Sequence, residues 1–420
     1  MSNLKGKKLL ILGGNAISCE IVKAAKQLGV YSVVTDWNTP RESPAKLLAD
    51  EYWNVSLMDY DALVPIIKEN KIDGVITGFT DSYLLPYQHL CELCQFPCYA
   101  TKEVFEKTLD KSSFKQMCIE NGVPVVPAYS LNTFDPHIIS KNHKIMIKPV
   151  DNSGSRGIIT CDCPDKFQEC LDYSLSFSPK KNVVIEDYID MDSFSVSYTI
   201  QDGIISMSTM NDRIVHKVAG AAAVTNGGIY PSKYIDSYIE KMDGKVCQMY
   251  RNLGVRNGVL FIQGFTNGET FYFYEMGYRI SGGRHFLFTE NQNNTSSVKQ
   301  LIHFALTGKM ANYSIAERDD PRFKDVCFQW NILGKEDVIA RVEGWEMICT
   351  MPEVISCSLD KKVGDKIGKD GTTAQKIAGL HMVLKDRLRM KDVLLFVYDT
   401  FKVFNAVGEN LVMNTLSENF

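Results

Sequence analysis

The sequence lacks any apolar run near the roughly eighteen residues that a membrane-spanning helix requires. The apolar stretch at residues 9–12 is far shorter than the core of a signal peptide and runs straight into a glycine turn. The chain also lacks an excess of basic residues, since 46 Lys and Arg stand against 50 Asp and Glu, a formal net charge of -4. We therefore expect a cytoplasmic protein with no general attraction to membranes or nucleic acids.

Cysteine is present without the pattern of a disulfide framework. Twelve cysteines are scattered over 420 residues, and without a signal peptide this favours reduced thiols. Cys91, Cys94 and Cys98 recur on one face of a predicted helix, with His89 nearby. The pattern is compatible with zinc, but a buried thiol face is favoured because free cysteine is a common core residue.

The sequence has no internal repeat or low-complexity tract to divide it. A chain of 420 residues is long for a single core, which predicts two or three domains. Residues 8–12, 16–28 and 31–36 read as strand, helix and strand, the beginning of a βαβ unit, and the alternation continues to about residue 100. We predict a small parallel α/β domain over residues 1–100.

The first glycine turn is an incomplete dinucleotide fingerprint. After Gly13 and Gly14 the two later glycine positions hold Asn15 and Ser18, so the close pyrophosphate approach and helix packing are missing. Asp36 ends the second strand, where an acid would meet a ribose, but one acid there is weak evidence. A scaffolding or substrate-side role is favoured over NAD binding by an oxidoreductase.

Two tight hairpins are predicted, at Asp202-Gly203 and at Asn267-Gly268, each between runs that suit strands. Residues 341–359 look strand-rich, and the sequence GKDGTTAQ that follows them reads as a turn leading into a helix.

Pairing across the second hairpin would place Gln263 near Glu275. Strand parity places Glu275 on the same face as Phe271 and Phe273. An acid on an aromatic face requires a partner.

The segment IMIKPVDNSGSRGI, residues 145–158, puts Lys148 at the end of an apolar strand, ahead of a loop rich in glycine and serine. In a Walker loop the lysine follows the glycines and opens a helix, so that motif is absent. A flexible loop of this kind can instead fold over a phosphate, with Lys148 as a point charge. Taken alone, the segment also suits a solvated turn between strands.

Four segments in a definite order give that loop more weight. Lys111 follows a turn, Lys148 precedes its loop, VVIEDYI is an acidic strand, and YEMGYRISGG carries an acid and then an arginine. In this order the sequence resembles the ATP-grasp superfamily, particularly the branch with biotin carboxylase, carbamoyl-phosphate synthetase and amino-acid ligases. The resemblance covers residues 105–290 well and the flanking regions more loosely.

The resemblance implies an α/β (α+β) fold in three domains. The first is a Rossmann-like pre-ATP-grasp domain over residues 1–100. The second is a two-lobed ATP-grasp domain over 101–319, with a mobile lid subdomain at about 124–186. The third is a β-rich C-terminal domain over 320–420.

The resemblance also implies how ATP would be held. Lys111 and Lys148 look like the two lysines that neutralise the α- and β-phosphates. The lid loop over the β- and γ-phosphates would consist of Asn152, Ser153, Gly154, Ser155, Arg156 and Gly157.

For the base and ribose, Glu186 resembles the hinge acid that accepts a hydrogen bond from the adenine amino group. The backbones of Asp187 and Ile189 would read the rest of the base edge. The acid often used for the ribose falls at Ser193, which leaves Asp192 as a candidate.

Phosphoryl transfer needs magnesium, which few protein ligands suffice to hold. Glu275 resembles the bridging ligand, and Gln263 can supply an amide oxygen. Gly277 stands where the family usually has asparagine, so either water completes the shell of a second Mg2+ or that ion is weakly held. Arg279 and Lys148 are the catalytic candidates, since Arg279 matches the arginine that faces the acyl phosphate.

The sequence gives the weakest signal for the residues that would bind the substrates. Ser281, Gly282 and Gly283 form a tight loop suited to a substrate carboxylate. Further candidates on the acceptor side are Arg213, His216 and His285.

The sequence therefore predicts a ligase dependent on ATP and Mg2+ that joins a small carboxylate to an amine through an acyl phosphate, as amino-acid or small-metabolite ligases do. Small molecules would be its partners, and a homodimer stays open. The alternatives are a biotin-carboxylase-like enzyme and an ATP-binding protein in which Gly277 and Ser193 mark a weakened site. Carbamoyl-phosphate synthesis is disfavoured because a single ATP-grasp unit is present.

Overall fold

The residues that the computed structural model describes are 4–150, 157–216 and 224–416. Within these ranges the strands assemble into four sheets. In chain order the strands are β1 (Lys8–Leu12), β2 (Tyr31–Thr35), β3 (Glu51–Trp53), β4 (Gly74–Ile76), β5 (Ala128–Tyr129), β6 (Ile145–Pro149), β7 (Ile159–Cys161), β8 (Val183–Asp187), β9 (Asp192–Gln201), β10 (Ile204–His216), β11 (Val224–Tyr230), β12 (Gly258–Thr266), β13 (Phe271–Gly277), β14 (Val326–Leu333), β15 (Arg341–Glu343), β16 (Val354–Leu359), β17 (Lys376–Leu384) and β18 (Lys402–Phe404).

The α-helices are α1 (Cys19–Gln27), α2 (Ala45–Leu48), α3 (Tyr60–Glu69), α4 (Leu84–Cys94), α5 (Lys102–Leu109), α6 (Lys111–Glu120), α7 (Phe167–Ser176), α8 (Ile235–Tyr238), α9 (Gly244–Leu253), α10 (Phe286–Asn293), α11 (Ser297–Thr307), α12 (Trp345–Cys349) and α13 (Met390–Thr400). Among the described helices, none combines the length and apolar character needed to cross a membrane.

The N-terminal sheet is parallel, with strand order β3-β2-β1-β4. Its central strand β1 has the sequence KLLIL and is buried along nearly its whole length, as expected for a strand covered by helices on both faces. Helix α11, from much later in the chain, closes over β4 so tightly that a Cβ on Gly74 would lie 2.2 Å from the carbonyl oxygen of Ala305. The predicted parallel α/β architecture is confirmed.

The main sheet has eight antiparallel strands in the order β13-β12-β9-β10-β11-β14-β17-β16. Both predicted hairpins are present, since Gln201 pairs with Ile204 and Thr266 pairs with Phe271. One face packs into the large core, where Phe194 meets Phe273 edge-on at 5.5 Å. The sheet continues past residue 320, because β14 and β17 add to the β11 edge.

A β-bulge overturns the predicted parity of β13. Gln263 pairs with Glu275 as predicted, but the next residue, Gly264, pairs with Phe273, so Tyr274 is the extra residue. Phe273 is therefore buried in the aromatic core, whereas Glu275 is exposed on the other side of the sheet. The prediction of a shared face was wrong because a bulge moves the following residues to the opposite face.

The lid region is a small antiparallel sheet, order β5-β8-β6-β7, with helix α7. It has its own hydrophobic core, which includes Ile145, Ile147, Leu171 and Ile185. The predicted loop residues 152–156 lie outside the described residues. Gly157 is described and has φ +77, and a Cβ there would lie 2.5 Å from the Cβ of Phe177, so both the backbone and the packing require glycine.

The C-terminal region forms a separate core cluster around Trp330, Leu380 and Val397. Two predictions fail here. GKDGTTAQ leads into strand β17 rather than a helix. Cys349 and Cys357 are joined in a disulfide with Cα atoms 5.9 Å apart, so the expectation of reduced thiols holds only for the ten described cysteines that are free.

Candidate active site

One large cleft of about 2540 Å³ lies between the lid sheet, helix α6 and the polar face of the main sheet. The polar face is built in register, with Ser195 of β9 between Asn211 of β10 and Gln263 of β12. The cleft brings together most of the predicted site residues that are described, namely Lys111, Lys148, Glu186, Asp187, Ile189, Asp192, Arg213, Gln263, Glu275, Arg279, Ser281, Gly282 and Gly283. Gly157, His216 and His285 do not line it.

A buried cluster of two lysines and one glutamate joins the lid to helix α6. Glu186 of β8 binds Lys148 of the neighbouring strand β6 through Oε2 and Lys115 of α6 through Oε1. The Glu186 side chain is only 5% exposed. Burial raises the pKa of Glu186, but the charges and hydrogen bonds of Lys148 and Lys115 outweigh burial, so its pKa lies below the ordinary value.

Lys115 was missed by the sequence analysis, although a signal exists. Lys115 follows Lys111 by four residues, and this spacing puts both lysines on one face of α6. Helix α6 begins at Lys111 because the side chain of Asp110 accepts a hydrogen bond from the backbone N–H of Ser113 at 2.7 Å. Lys111 and Lys115 both line the cleft, so the face of α6 that borders it is cationic.

The strand end that follows Glu186 is tied down on both sides. The carboxylate of Asp187 accepts hydrogen bonds from the Tyr129 hydroxyl at 2.7 Å and is 2.9 Å from Nε2 of His143. The bond to Asp187 raises the pKa of Tyr129 to about 12. The backbone N–H of Asp187 donates to the carbonyl of Pro127 at 3.0 Å, so that N–H is already occupied.

Asp192, the ribose candidate, sits at the rim of the cleft. Its carboxylate accepts from the Tyr234 hydroxyl at 2.6 Å and from Lys233 Nζ at 2.8 Å. Ser193, at the position where relatives often have an acid, accepts a hydrogen bond from Arg213 at 3.3 Å. A ribose hydroxyl at this rim would therefore meet a carboxylate that is already paired with a lysine.

Glu275 and Gln263 face each other across the β12–β13 pair on the cleft side. The amide oxygen of Gln263 accepts from the Tyr274 hydroxyl at 3.2 Å. No group of three or more Asp, Glu, His or Cys side chains that could enclose a metal exists in the described part of the chain. A carboxylate and an amide oxygen suit Mg2+, which keeps several waters and takes its other ligands from substrate phosphates.

Gly277 occupies the place of the family asparagine for a steric reason. A Cβ at this position would lie 2.4 Å from the ring of Phe261, its cross-strand neighbour. The Phe261 ring in turn carries the guanidinium of Arg279, 5.0 Å from its centroid. The Phe261 ring thus fills the space that a side chain at position 277 would need, and the same ring packs against the guanidinium of Arg279.

Arg279 is held on three sides. Its Nε donates to Oδ1 of Asp81 at 2.6 Å, its Nη2 donates to Oδ2, and its Nη1 donates to the carbonyl of Ile280 at 3.1 Å. The Arg279 side chain is 13% exposed and the Asp81 side chain 44% exposed. Asp81 was missed by the sequence analysis, although it follows β4 at the carboxyl edge of a parallel sheet, the usual place for ligand-binding residues.

The loop 281–283 rests on two buried histidines. Nδ1 of His285 is 3.1 Å from the Ser281 hydroxyl, and Nε2 of His381 is 3.1 Å from the carbonyl of Gly283. Burial lowers the pKa of His285 to about 4 and that of His381 to about 3, so both are neutral at pH 7. His285 therefore lies beneath the loop, and nothing local in the sequence connects it with His381 of β17.

The two remaining acceptor-side candidates differ. Arg213 lines the cleft and donates to hydroxyl groups of Tyr274, Ser193 and, at 2.7 Å, Thr225. His216 is 6% exposed, its Nε2 is 3.3 Å from Oδ1 of Asp370, and it is not one of the residues that line the cleft. Arg213 therefore stays a substrate-side candidate on geometry, whereas His216 does not contact the cleft.

The dinucleotide interpretation of the N-terminal region is not favoured by the geometry around Asp36. Its carboxylate accepts from the Gly14 backbone N–H at 2.7 Å and from the Ser43 hydroxyl at 2.6 Å, and binds the buried Lys46 at 2.8 Å. Burial raises the pKa of Asp36, but the bonds to Lys46, Ser43 and Gly14 lower it by more, so its pKa lies below the ordinary value. The backbone N–H of Asn38 is a fourth donor, at 2.9 Å, and a carboxylate that is bonded to four internal donors is not available to a ribose.

Comparison with known proteins agrees with this architecture. Residues 109–283 match the family model of the ATP-grasp domain. The chain is 24% identical over 280 residues to the formate-dependent phosphoribosylglycinamide formyltransferase of Erythrobacter litoralis, covering 65% of this chain and 70% of that protein. Other curated relatives are matched over about half of their length or less.

Solved structures extend the likeness to nearly the whole chain. An L-amino acid ligase from Bacillus licheniformis superposes with a TM-score of 0.78 at 17% identity, over 95% of this chain and 99% of that one. The biotin carboxylase domain of 2-oxoglutarate carboxylase from Hydrogenobacter thermophilus, in complex with MgADP and bicarbonate, has a TM-score of 0.74 at 18% identity, over 98% and 92% of the two chains. At these identities the likeness establishes a common fold.

Proposed function

We propose that the protein, whose residues 109–283 match the family model of the ATP-grasp domain, is a ligase dependent on ATP and Mg2+ that activates a small carboxylate as an acyl phosphate and joins it to an amine. The observation that carries the proposal is the convergence of Lys111, Lys148, Glu275 and Arg279 on one cleft. These residues come from helix α6, the lid and the main sheet, and such a convergence is expected of a two-lobed site that closes on a nucleotide.

The nucleotide lies between the lid and helix α6. Lys148 and Lys111 neutralise the phosphates, and Lys115 adds a third ammonium group beside Glu186. Because the Glu186 carboxylate is engaged by two lysines and the Asp187 N–H by Pro127, adenine is read chiefly by the carbonyl of Asp187 and the N–H of Ile189. Glu275 and Gln263 would hold Mg2+, which would supply positive charge against the negative charge that spreads over the transferred phosphoryl group.

The carboxylate is activated on the other side of the metal candidates. Arg279 provides fixed N–H donors where negative charge develops on the acyl phosphate and on the tetrahedral intermediate. The loop 281–283, fixed by His285 and His381, orients the substrate carboxylate. Lid closure excludes water, which would otherwise hydrolyse the acyl phosphate.

The names of the relatives support a small carboxylic or carbonic acid as the first substrate. One relative is formate-dependent, one solved neighbour is an L-amino acid ligase, and another was solved with bicarbonate. The size of the cleft, about 2540 Å³, exceeds the roughly 300–1,000 Å³ of a typical small-molecule site. It therefore has room for a nucleotide and two further substrates.

The test is release of ADP and phosphate with ATP, Mg2+ and a mixture of the twenty protein amino acids, followed by mass measurement of the product. We expect amino-acid-dependent release and a new product that is lighter by one water than the sum of its precursors. ATP binding by calorimetry without such release would favour an ATP-binding protein. Release that depends on bicarbonate and free biotin would favour the biotin-carboxylase-like alternative.

A further inference from the structure

We propose that Asp81 binds the ammonium group of the amine substrate and takes one proton from it, so that the neutral nitrogen can form the new C–N bond. This inference rests on the ligase function proposed above and names a further catalytic residue for it. Asp81 belongs to the N-terminal region, which contains none of the predicted site residues.

The position of Asp81 is fixed relative to the reacting centre. Two hydrogen bonds join the N-terminal region to the segment that follows β13. The backbone N–H of Ile280 donates to the carbonyl of Gly78 at 3.0 Å, and the side-chain hydroxyl of Tyr99 donates to the carbonyl of Tyr278 at 3.1 Å. Asp81 follows Gly78 by three residues and lines the cleft. Its carboxylate is therefore held within reach of any group that Arg279 binds.

The pairing with Arg279 implies an exchange of partners. Asp81 occupies the edge of the guanidinium formed by Nε and Nη2, and Nη1 is bonded to the Ile280 carbonyl. An acyl phosphate cannot bind that edge in the bidentate manner while Asp81 holds it. When the acyl phosphate takes Arg279, the Asp81 carboxylate is released a few ångströms from the activated carbonyl carbon.

A carboxylate freed at this point suits an ammonium group. Other carboxylates that line the cleft have partners that the acyl phosphate would not displace: Glu186 has two lysines, and Asp212 accepts from the Ser232 hydroxyl at 2.6 Å. Glu275 is the metal candidate. Asp81 is the carboxylate in the described part of the cleft that contacts Arg279, so it is placed to bind the amine next to the acyl phosphate.

The step balances in atoms and charge. The substrate enters as R–NH3+, and Asp81 first takes one proton from it, which frees the nitrogen lone pair. The neutral nitrogen then forms a bond to the carbonyl carbon while the bond from that carbon to the phosphate oxygen breaks, and the departing phosphate takes a second proton from the nitrogen. The products are the amide and hydrogen phosphate, and Asp81 returns its proton to water.

The experiment compares amine ligation with trapping of the acyl phosphate by hydroxylamine. Hydroxylamine is neutral at pH 7, so it attacks without a residue to take its proton first. Wild type and Asp81→Asn are given ATP, Mg2+ and the twenty amino acids, with or without hydroxylamine, and amide and hydroxamate are measured. Asp162→Asn, an exposed carboxylate on the lid side of the cleft, is the matched control.

We expect Asp81→Asn to lose about 10²- to 10⁴-fold in amide formation, the usual contribution of a general base, and to keep hydroxamate formation near the wild-type rate. Raising the pH toward the pKa of the amine should narrow the deficit, because unprotonated amine then needs no base. Parallel loss of amide and hydroxamate would overturn the proposal, because it would show that Asp81 only orients Arg279. Normal amide formation in Asp81→Asn would also overturn it. Failure of the ligase function itself is distinguishable, because wild type would then form no hydroxamate.

Discussion

Asp81 and Arg279 form a two-pronged ion pair across 198 positions of sequence, with Nε of the arginine 2.6 Å from Oδ1 of the aspartate. The pair joins the carboxyl edge of the N-terminal parallel sheet to the segment that follows β13, the strand that carries Glu275. Because Arg279 also lies over Phe261, its orientation is set before any substrate binds. This preorganisation is the property that a donor to a developing negative charge needs.

Arg279→Ala is expected to spare ATP binding and to reduce product formation by about 10²- to 10³-fold, because a fixed donor to the acyl phosphate is removed. Calorimetry with ATP measures whether binding is spared, and mass measurement of the product gives the loss in product formation. Arg279→Lys is the matched variant, since it keeps the charge but not the two-pronged geometry. Normal product yield from Arg279→Ala would contradict the role assigned to this residue.

Lys148→Ala and Glu275→Ala are each expected to abolish ADP release without unfolding the protein. Lys148 contacts Glu186, which keeps Lys115 as a partner, and Glu275 is exposed, so neither loss opens the core. The measurements are ADP release and the thermal midpoint. Unchanged ADP release in either variant would refute its assignment.

Gly277→Asn is expected to destabilise the protein by about 1–3 kcal/mol, the usual cost of overpacking, because its Cβ would meet the Phe261 ring. The double variant Gly277→Asn with Phe261→Ala should recover part of that loss. It should also lower the Mg2+ concentration needed for half-maximal activity, since an amide oxygen is added beside Glu275. The same Mg2+ requirement in the double variant and wild type would contradict the steric explanation.

Glu186 is expected to stabilise the protein at neutral pH and to stop doing so in acid. Its pKa is lower in the folded protein than the ordinary value of 4.5, so its contribution is present above pH 4.5 and is lost as the pH falls through the folded value. Thermal midpoints of wild type and Glu186→Gln, measured from pH 7 downward, should therefore converge below pH 4.5. A gap that stays constant with pH would show that the charge of Glu186 is not responsible.

Asp319 should behave in the opposite sense. Its carboxylate is partly buried and accepts hydrogen bonds from Ser206 and Ser208 at 2.7 and 2.8 Å, and the loss of solvent raises its pKa above the ordinary 3.8 despite these bonds. Stability from the protonated form is present below pH 3.8 and is lost as the pH rises through the folded pKa. The stability of Asp319→Asn should thus increase relative to that of wild type as the pH rises. Thermal midpoints of both proteins at several pH values test this.

Local patterns in the sequence were enough to predict much of the fold. The strand at residues 8–12, the helix that begins near Tyr60 and both hairpins follow from hydrophobic periodicity and from the Asp-Gly and Asn-Gly turns. The pairing of Gln263 with Glu275 follows from the same turn. These features depend on residues close in sequence, and for that reason a pattern reveals them.

The features that escaped prediction depend on contacts between distant residues or on irregular pairing. The bulge at Tyr274 has no composition signal, yet it moves Glu275 out of the aromatic core and into the cleft. His381 reaches the carbonyl of Gly283 only because β17 joins the far side of the main sheet. Asp81 and Arg279 meet only after the N-terminal sheet docks against β13.

The continuity of the main sheet past residue 320 sets a limit on how this chain can be divided. Cutting the chain there would strip β14 from β11 and leave a row of unsatisfied backbone amides and carbonyls along a hydrophobic edge. It would also remove His381, and with it the support of Gly283. The C-terminal hundred residues therefore cannot be removed or exchanged without breaking the main sheet. A protein shortened at residue 320 should aggregate rather than keep a reduced activity.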